Sequence, residues 1–463
     1  MVLNSGSVAL TGPAKGPARL TPSRQGGRQA RWALLLAVAA LVLRLVTIGA
    51  LRAWERPNAI EHKAIAISLL KGLGFSFGSF GYFGPTSVQS PTYPLLLAAL
   101  FGCFGADSAA AYVAAMVLNA VLGAVCVYLT WRLALALGAE QKVAIIAAGA
   151  TAIWPSQVYG VTHVQAVTMI TAGVLATMIL WRRARESGQL QPWLWFCLVG
   201  TLTALTEPVL LPPMAFSGVL VLLWREWSWR VRLRNALALF LCACLVLGPW
   251  SLRNRLVHGV WVPVKNTFWT NVWKGNNDSA TGTDRLPLSA EIRWRLCKEA
   301  LCFRDRSMRQ MDETDPRPYS VLTEEQMRRL QGQTETARER VFKEYATSWI
   351  RSHPLAYARL CVIRLIKTLW MDWDNPKSFS ILFILARTLL LVLSICGLLS
   401  AWRARWALGF PLMVVGLCLL TYVLTITAGR FALTFEPLQL CFASHFAAGF
   451  AVRCGGAVRW RGD

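Results

Sequence analysis

The sequence predicts an all-α polytopic membrane protein: a helix bundle with about ten transmembrane helices and a large loop region on the outer side. Three observations predict it. The chain has 463 residues, of which 55% are hydrophobic and 21 are Trp, and its mean hydropathy is +0.43. Its apolar runs are continuous and approach or reach the roughly 20 residues that a helix needs to cross a bilayer. Strands of a membrane barrel would instead alternate apolar with polar residues. The third observation is charge: basic residues cluster at alternate ends of these runs, as positive-inside orientation requires.

Spans are expected near 32–51, 109–131, 143–158, 161–181, 193–207, 209–224, 235–252, 379–402, 407–427 and 433–452. A basic tail, 1–31, precedes the first span and reads as disordered and cytoplasmic; its Lys15, Arg19, Arg24, Arg28 and Arg31 precede the first apolar run, so that run is not a cleavable signal peptide. With this tail inside, the inner loops carry Arg132 and Lys142, then Arg182, Arg183 and Arg185, then Arg225, Arg230, Arg232 and Arg234. Arg403 and Arg405 follow, and Arg453, Arg459 and Arg461 fall in an inner C-terminal tail, 453–463. Every cluster lies where the ten-span arrangement places the inside.

The bundle 32–252 includes a long first outer loop, 52–108, and the last spans fill 379–452. In the first outer loop, Asn58 just after Pro57 is spaced as an N-cap for a helix carrying Glu61, and an aromatic-glycine stretch runs from Phe75 to Gly84. Tyr93 to Phe104 is too short for a span and reads as an interfacial or re-entrant helix. A second outer region, 253–378, should be helical around Glu324 to Ile350. It then continues as an amphipathic surface helix in which Arg359, Arg364 and Lys367 stand among Leu360, Val362, Ile363, Leu365 and Ile366. The Pro155 and Glu207-Pro208 hairpins break helices.

A net charge of +24 first suggests nucleic acid, but the cations mark span ends and no basic stripe interleaved with stacking aromatics occurs. Most of the twelve cysteines lie in apolar runs and read as small core residues. Cys297 and Cys302 are spaced so that one helix would point them apart. No residue set at ligand spacing predicts a metal, and no cofactor motif is present.

Chemistry centres on Glu61. It completes a capping box with Asn58, or else faces a cavity at the membrane surface and takes a proton from an attacking hydroxyl. Arg430, on the outer side in Thr427-Ala428-Gly429-Arg430-Phe431, joins Arg364 and Lys367 as cations suited to a lipid phosphate. Arg44, inside the first span, either snorkels outward or pairs with an acid in the bundle. His163, alone at an outer turn, reads as a satisfied polar residue.

Glu61 with Ile65-Ala66, Ser68-Leu69, Gly72 and Gly74-Phe75-Ser76 resembles the first outer loop of bacterial glycosyltransferase family 39, as do Gly84-Pro85-Thr86, Pro91-Thr92-Tyr93-Pro94 and Phe104-Gly105. Further similarities are Pro249-Trp250-x-x-Arg253-Asn254, Val262-Pro263-Val264, Trp273-Lys274-Gly275-Asn276, Ile350-Arg351-x-His353-Pro354 and the segment from Arg430-Phe431 to Pro437. This family groups dolichyl-phosphate-mannose protein mannosyltransferases with the aminoarabinose transferases that modify lipid A. The aspartate common in the family would fall at Asn58, with Glu61 one turn later, and Phe431-Ala432 replaces a frequent Tyr-Arg pair.

The resemblance implies a GT-C fold, with an active site on the non-cytoplasmic face of a bacterial plasma membrane and both termini cytoplasmic. It also implies inverting transfer of a sugar from a polyprenyl-phosphate donor to a protein, lipid or glycan acceptor. Glu61 would be the base, and Arg430, Arg364 and Lys367 would hold the donor phosphate. Asn58, Tyr93, Arg253 and Asn276 are further pocket candidates. A transporter or lipid flippase without covalent chemistry is the alternative, and an inactive carrier-binding scaffold a third reading.

Overall fold

The computed structural model describes residues 24–55, 57, 59–301 and 318–459. From the N-terminus come α1 (Arg24–Leu51), α2 (Ile60–Leu70), β1 (Ser76–Ser79), β2 (Tyr82–Pro85), α3 (Thr92–Phe104), α4 (Ala109–Leu137) and α5 (Gln141–Ile153). Next are α6 (Pro155–Gly160), α7 (Val167–Ser187), α8 (Leu190–Thr206), α9 (Leu211–Leu223) and α10 (Trp229–His258). The second half contains α11 (Phe268–Gly275), α12 (Ala290–Leu301), α13 (Glu324–Leu330), α14 (Glu335–Ser352) and α15 (Pro354–Leu369). It ends with α16 (Ile381–Arg403), α17 (Gly409–Leu424), α18 (Gly429–Leu433) and α19 (Glu436–Arg459).

Helices α1, α4, α7, α10 and α16 are long and apolar enough to cross a membrane, and α3, α5, α8, α9 and α17 are shorter apolar helices. α1 starts at Arg24, inside the stretch expected to be a disordered tail. The expected span 143–158 divides into α5 and α6 at Trp154-Pro155, because proline supplies no N–H and restricts the residue before it. α4 runs from a Ser108 cap, whose Oγ accepts from Ala111 N, to Gly138 at φ 111°. That left-handed conformation ends the helix and suits glycine.

α4 packs on α1, α5 and α7, α7 packs on α8, and α16 packs on α19. Small residues such as Ala124, Ala144, Ala147 and Ala148 line the core and let backbones approach closely. The tightest approach is at Gly397, where a Cβ would stand 1.9 Å from Phe442 O.

Arg44 does not snorkel and, among the described residues, has no acid partner. Fully buried, it donates to Ala40 O, Thr151 O and Ala152 O at 3.2, 3.3 and 3.0 Å. The last two carbonyls lack helical partners because the chain breaks at Pro155, so the guanidinium satisfies what the proline leaves open. A second internal charge was not foreseen: Arg387 on α16 pairs with Glu436 at 2.8 Å, and Glu436 also accepts from Ser156 and Gln157.

Segments 75–87, 269–273 and 319–350 pack together. β1 and β2 make a hairpin, unforeseen as strands, with Ser79 opposite Tyr82 and left-handed Phe80 and Gly81 in the turn. Phe80 packs edge-on against Tyr319, which joins Trp273 and Phe342 in a small aromatic core. Glu335 on α14 accepts from Ser87 N at 3.1 Å, and Glu339 accepts from Trp269 N at 2.8 Å, capping α11. The helix expected around Glu324 to Ile350 is divided into α13 and α14. Cys297 is free on α12, and Cys302 lies outside the described residues.

Candidate active site

Glu61 sits in the first turn of α2, whose N-cap is Ala59 with no side-chain cap bond. Asn58, the expected partner in a capping box with Glu61, lies outside the described residues. Instead, Glu61 Oε2 accepts from Gln89 Nε2 at 3.0 Å, which anchors one carboxylate oxygen. His62 lies edge-on to the buried ring of Tyr93, centroids 5.1 Å apart. Burial holds the imidazole down to about 4, with Lys265 and Arg430 acting in the same direction and Glu61 opposing. The group beside Glu61 is thus neutral near neutral pH.

Two cations, Lys265 and Lys274, feel the charge of this acid, and Arg430 acts on Lys265 and on His62 beside it. Lys265 lies in the segment between α10 and α11; burial lowers its pKa, Glu207 and Glu61 oppose that, and Arg430 and Lys274 reinforce it. Lys274 occupies the last turn of α11 with its Nζ 4.7 Å from the Tyr319 ring centre. Burial would lower it, but Tyr319, Asp284 and Glu61 together raise it. Arg430 on α18 is 49% exposed and stands 3.9 Å from Asp284. Among the described residues, neither Lys265 nor Glu207 is in a side-chain hydrogen bond or an ion pair within 4.0 Å. Carboxylates and under-compensated ammonium and guanidinium groups therefore lie within electrostatic range of each other here. That combination suits an anionic ligand that must be held beside a proton acceptor.

Arg364 and Lys367 lie elsewhere, inside the protein. Arg364 donates to Thr425 O at 2.7 Å and Asn276 Oδ1 at 2.6 Å. Lys367 bonds Asp374 and donates to Thr281 O at 2.9 Å, with Asp372 at 3.5 Å. Both are 2% exposed or less, so their donors are spent on protein rather than aimed into the cleft. What they hold is the cleft's own backbone. Thr427 N donates to Gly282 O at 3.1 Å, joining the strand ahead of Arg430 to the loop that carries Asp284. Asn276, fully buried, donates to Val272 O and Thr425 O and belongs to the same lock. Arg253 donates to Thr86 O and Phe75 O, which fastens the first outer loop to α10. Tyr93 supports α2 from below through His62.

Sequence reasoning missed Lys265, Glu207 and Asp284 and quoted Lys274 only within a motif. Glu207 was read as a helix breaker, yet a lone acid at a hairpin tip between apolar helices is itself a signal. Lys265 follows the apolar run Val260 to Val264 and could have been noticed for the same reason.

No family model matches the chain, and no curated protein matches it. Solved structures do. The oligosaccharyltransferase AglB from Archaeoglobus fulgidus, in complex with an inhibitory peptide and a dolichol-phosphate, is 13% identical with a TM-score of 0.51. It is matched over 93% of this chain and 51% of its own. The same archaeal oligosaccharyltransferase tethered to an acceptor peptide gives 12% identity and a TM-score of 0.50, covering 92% of this chain and 50% of that one. ArnT from Cupriavidus metallidurans bound to undecaprenyl phosphate gives 12% identity and a TM-score of 0.39, over 91% and 79%. The chain spans about half the length of the oligosaccharyltransferases it matches. It shares the fold of this archaeal oligosaccharyltransferase, a polytopic helix bundle.

Proposed function

We propose that this integral membrane protein is a glycosyltransferase that moves a sugar from a polyprenyl-phosphate donor to an acceptor hydroxyl or amine at the outer face of a bacterial plasma membrane. The observation that supports it most directly is the electrostatic coupling of Glu61 to Lys265 and Lys274, with Arg430 acting on Lys265 and on His62 beside Glu61. Glu61 takes the acceptor's proton through the carboxylate oxygen that Gln89 leaves free. The acceptor heteroatom forms its bond to the anomeric carbon while the bond from that carbon to the phosphate oxygen breaks, with inversion. Its electron pair passes to the departing lipid phosphate, whose growing charge Lys265, Lys274 and Arg430 stabilise. The Glu207 carboxylate favours the charged ammonium form of Lys265. Dolichol- and undecaprenyl-phosphate in the structural neighbours agree with this donor class, and the acceptor is a protein, lipid or glycan.

The test is incubation of purified protein with labelled polyprenyl-phosphate sugar. Release of free lipid phosphate together with labelled acceptor supports the reading. Binding or translocation of intact donor without release refutes it in favour of a carrier-binding or flippase role. Glu61→Gln should lower turnover about 10²–10⁴-fold while leaving the protein folded.

A further inference from the structure

The end of the bundle away from Glu61 carries a second site. α4 begins beside α2, where Lys63 pairs with Asp107 at 2.8 Å, and its 29 residues run about 43 Å to the opposite end. There the last turns of α4 and α7 and the connection from α16 to α17 enclose a cavity of about 240 Å³. The walls are fixed: Ala407 N donates to Leu137 O at 2.9 Å, and Trp181 stacks on Phe410 with ring centres 4.1 Å apart. Two cations line the cavity, Arg182 and Arg185, three residues apart and so on one face of α7. Arg182 meets Glu186 at 2.6 Å; the Arg185 guanidinium lies 5.1 Å from the Trp224 ring centre and, among the described residues, has no carboxylate within 4.0 Å.

The depth of this cavity is marked by tryptophans. Exposed Trp32, Trp195, Trp229 and Trp402 lie near the start of α1, α8 and α10 and the end of α16, all at this end of the bundle. A girdle of exposed indoles belongs at the level of lipid headgroups. A cavity at that level with an aromatic floor and two guanidinium groups at its rim suits a phosphodiester flanked by glycerol. Its volume falls below the roughly 300–1,000 Å³ of drug-sized pockets, the scale of a headgroup rather than of acyl chains.

We propose that this cavity binds the headgroup of an anionic phospholipid from the leaflet opposite the Glu61 cleft, with the phosphate between Arg182 and Arg185. The inference does not depend on the sugar-transfer reading. To test it, the full chain is purified in mild detergent and titrated with phosphatidylglycerol or phosphatidylcholine, bound lipid being counted by native mass spectrometry. Wild type should retain phosphatidylglycerol about tenfold more tightly. Arg182→Gln with Arg185→Gln should abolish that preference, and Arg230→Gln, at the same end but outside the cavity, should keep it. Gly409→Leu provides an independent check, since Gly409 lines the cavity and a Cβ there meets nothing within 4 Å, so the added side chain would occupy its space. Unchanged preference in the double variant or in Gly409→Leu overturns the proposal. So does displacement of phosphatidylglycerol by millimolar inorganic phosphate, which would identify a free-anion site instead.

Discussion

Replacing Arg364 by Met separates two roles that its charge alone would confuse. Methionine keeps much of the apolar volume but removes the charge-assisted bonds to Thr425 O and Asn276 Oδ1, both 2.7 Å or shorter. At about 1.5–3 kcal/mol each, the loss comes to about 3–6 kcal/mol. Thr425 O keeps only the 3.3 Å bond from Asn276 Nδ2, so relaxation recovers little. Arg430→Met is the contrasting variant: its pair with Asp284 is 3.9 Å long and half exposed, worth about 0–1 kcal/mol. Thermal unfolding in detergent, followed by tryptophan fluorescence, should therefore fall by roughly 5 °C or more for Arg364→Met and hardly move for Arg430→Met. Binding of a polyprenyl-phosphate analogue, measured on protein that remains folded below the transition, should show the reverse order. It should weaken about 10–100-fold for Arg430→Met and less than about threefold for Arg364→Met. If Arg364→Met unfolds like wild type yet loses the analogue, Arg364 is a ligand of the phosphate and the framework assignment is wrong.

Lys265→Met combined with Lys274→Met should weaken the same analogue at least about 100-fold without shifting the unfolding temperature, as read by titration. Gly275→Ala should destabilise by about 1–3 kcal/mol, because the new Cβ would lie 2.2 Å from Thr425 O; a wild-type melting temperature would show that the approach is looser. Burial raises Glu339 from 4.5 to about 6, so the folded chain holds that proton more tightly than the unfolded one. Its contribution is therefore greatest below pH 4.5 and is lost as pH rises to 6, about 2 kcal/mol in all. Melting curves of wild type and Glu339→Gln between pH 4 and 7 should differ by that slope.

The bundle was legible because burying a helix in lipid leaves a coarse record in the sequence. Runs near 32–51, 109–131 and 379–402 correspond to α1, α4 and α16. Breaks were legible wherever proline caused them, as at Pro155. The hairpin of β1 and β2 was not, because four-residue strands rich in Gly and Ser carry little periodicity, and their pairing depends on contacts with α13 and α14 far along the chain. Arg387 escaped notice for a related reason. One cation near a span end looks like an interface anchor, and only the fold reveals that Glu436 lies 2.8 Å away.

The candidate site was half legible, and the error in the other half has a physical form. Arg364 and Lys367 were assigned to the phosphate because α15 is amphipathic, on the assumption that its apolar face is buried and its cations are free. In the structure the polarity is reversed: Leu360, Arg364, Lys367 and Thr368 are buried, while Leu355, Val362 and Ile366 are exposed. Arg364 and Lys367 turn inward toward carbonyls and carboxylates that water does not reach, while Arg359 stays exposed. Periodicity says which residues share a face; it is blind to whether that face meets protein or solvent. The cations proposed for the phosphate, Lys265, Lys274 and Arg430, come from a connection, a short helix and a five-residue turn of helix, where no periodic signal exists. Arg364 and Lys367 brace the segments around Thr425, Asn276 and Thr281, so in this proposal the residues first assigned to binding position the ones that bind.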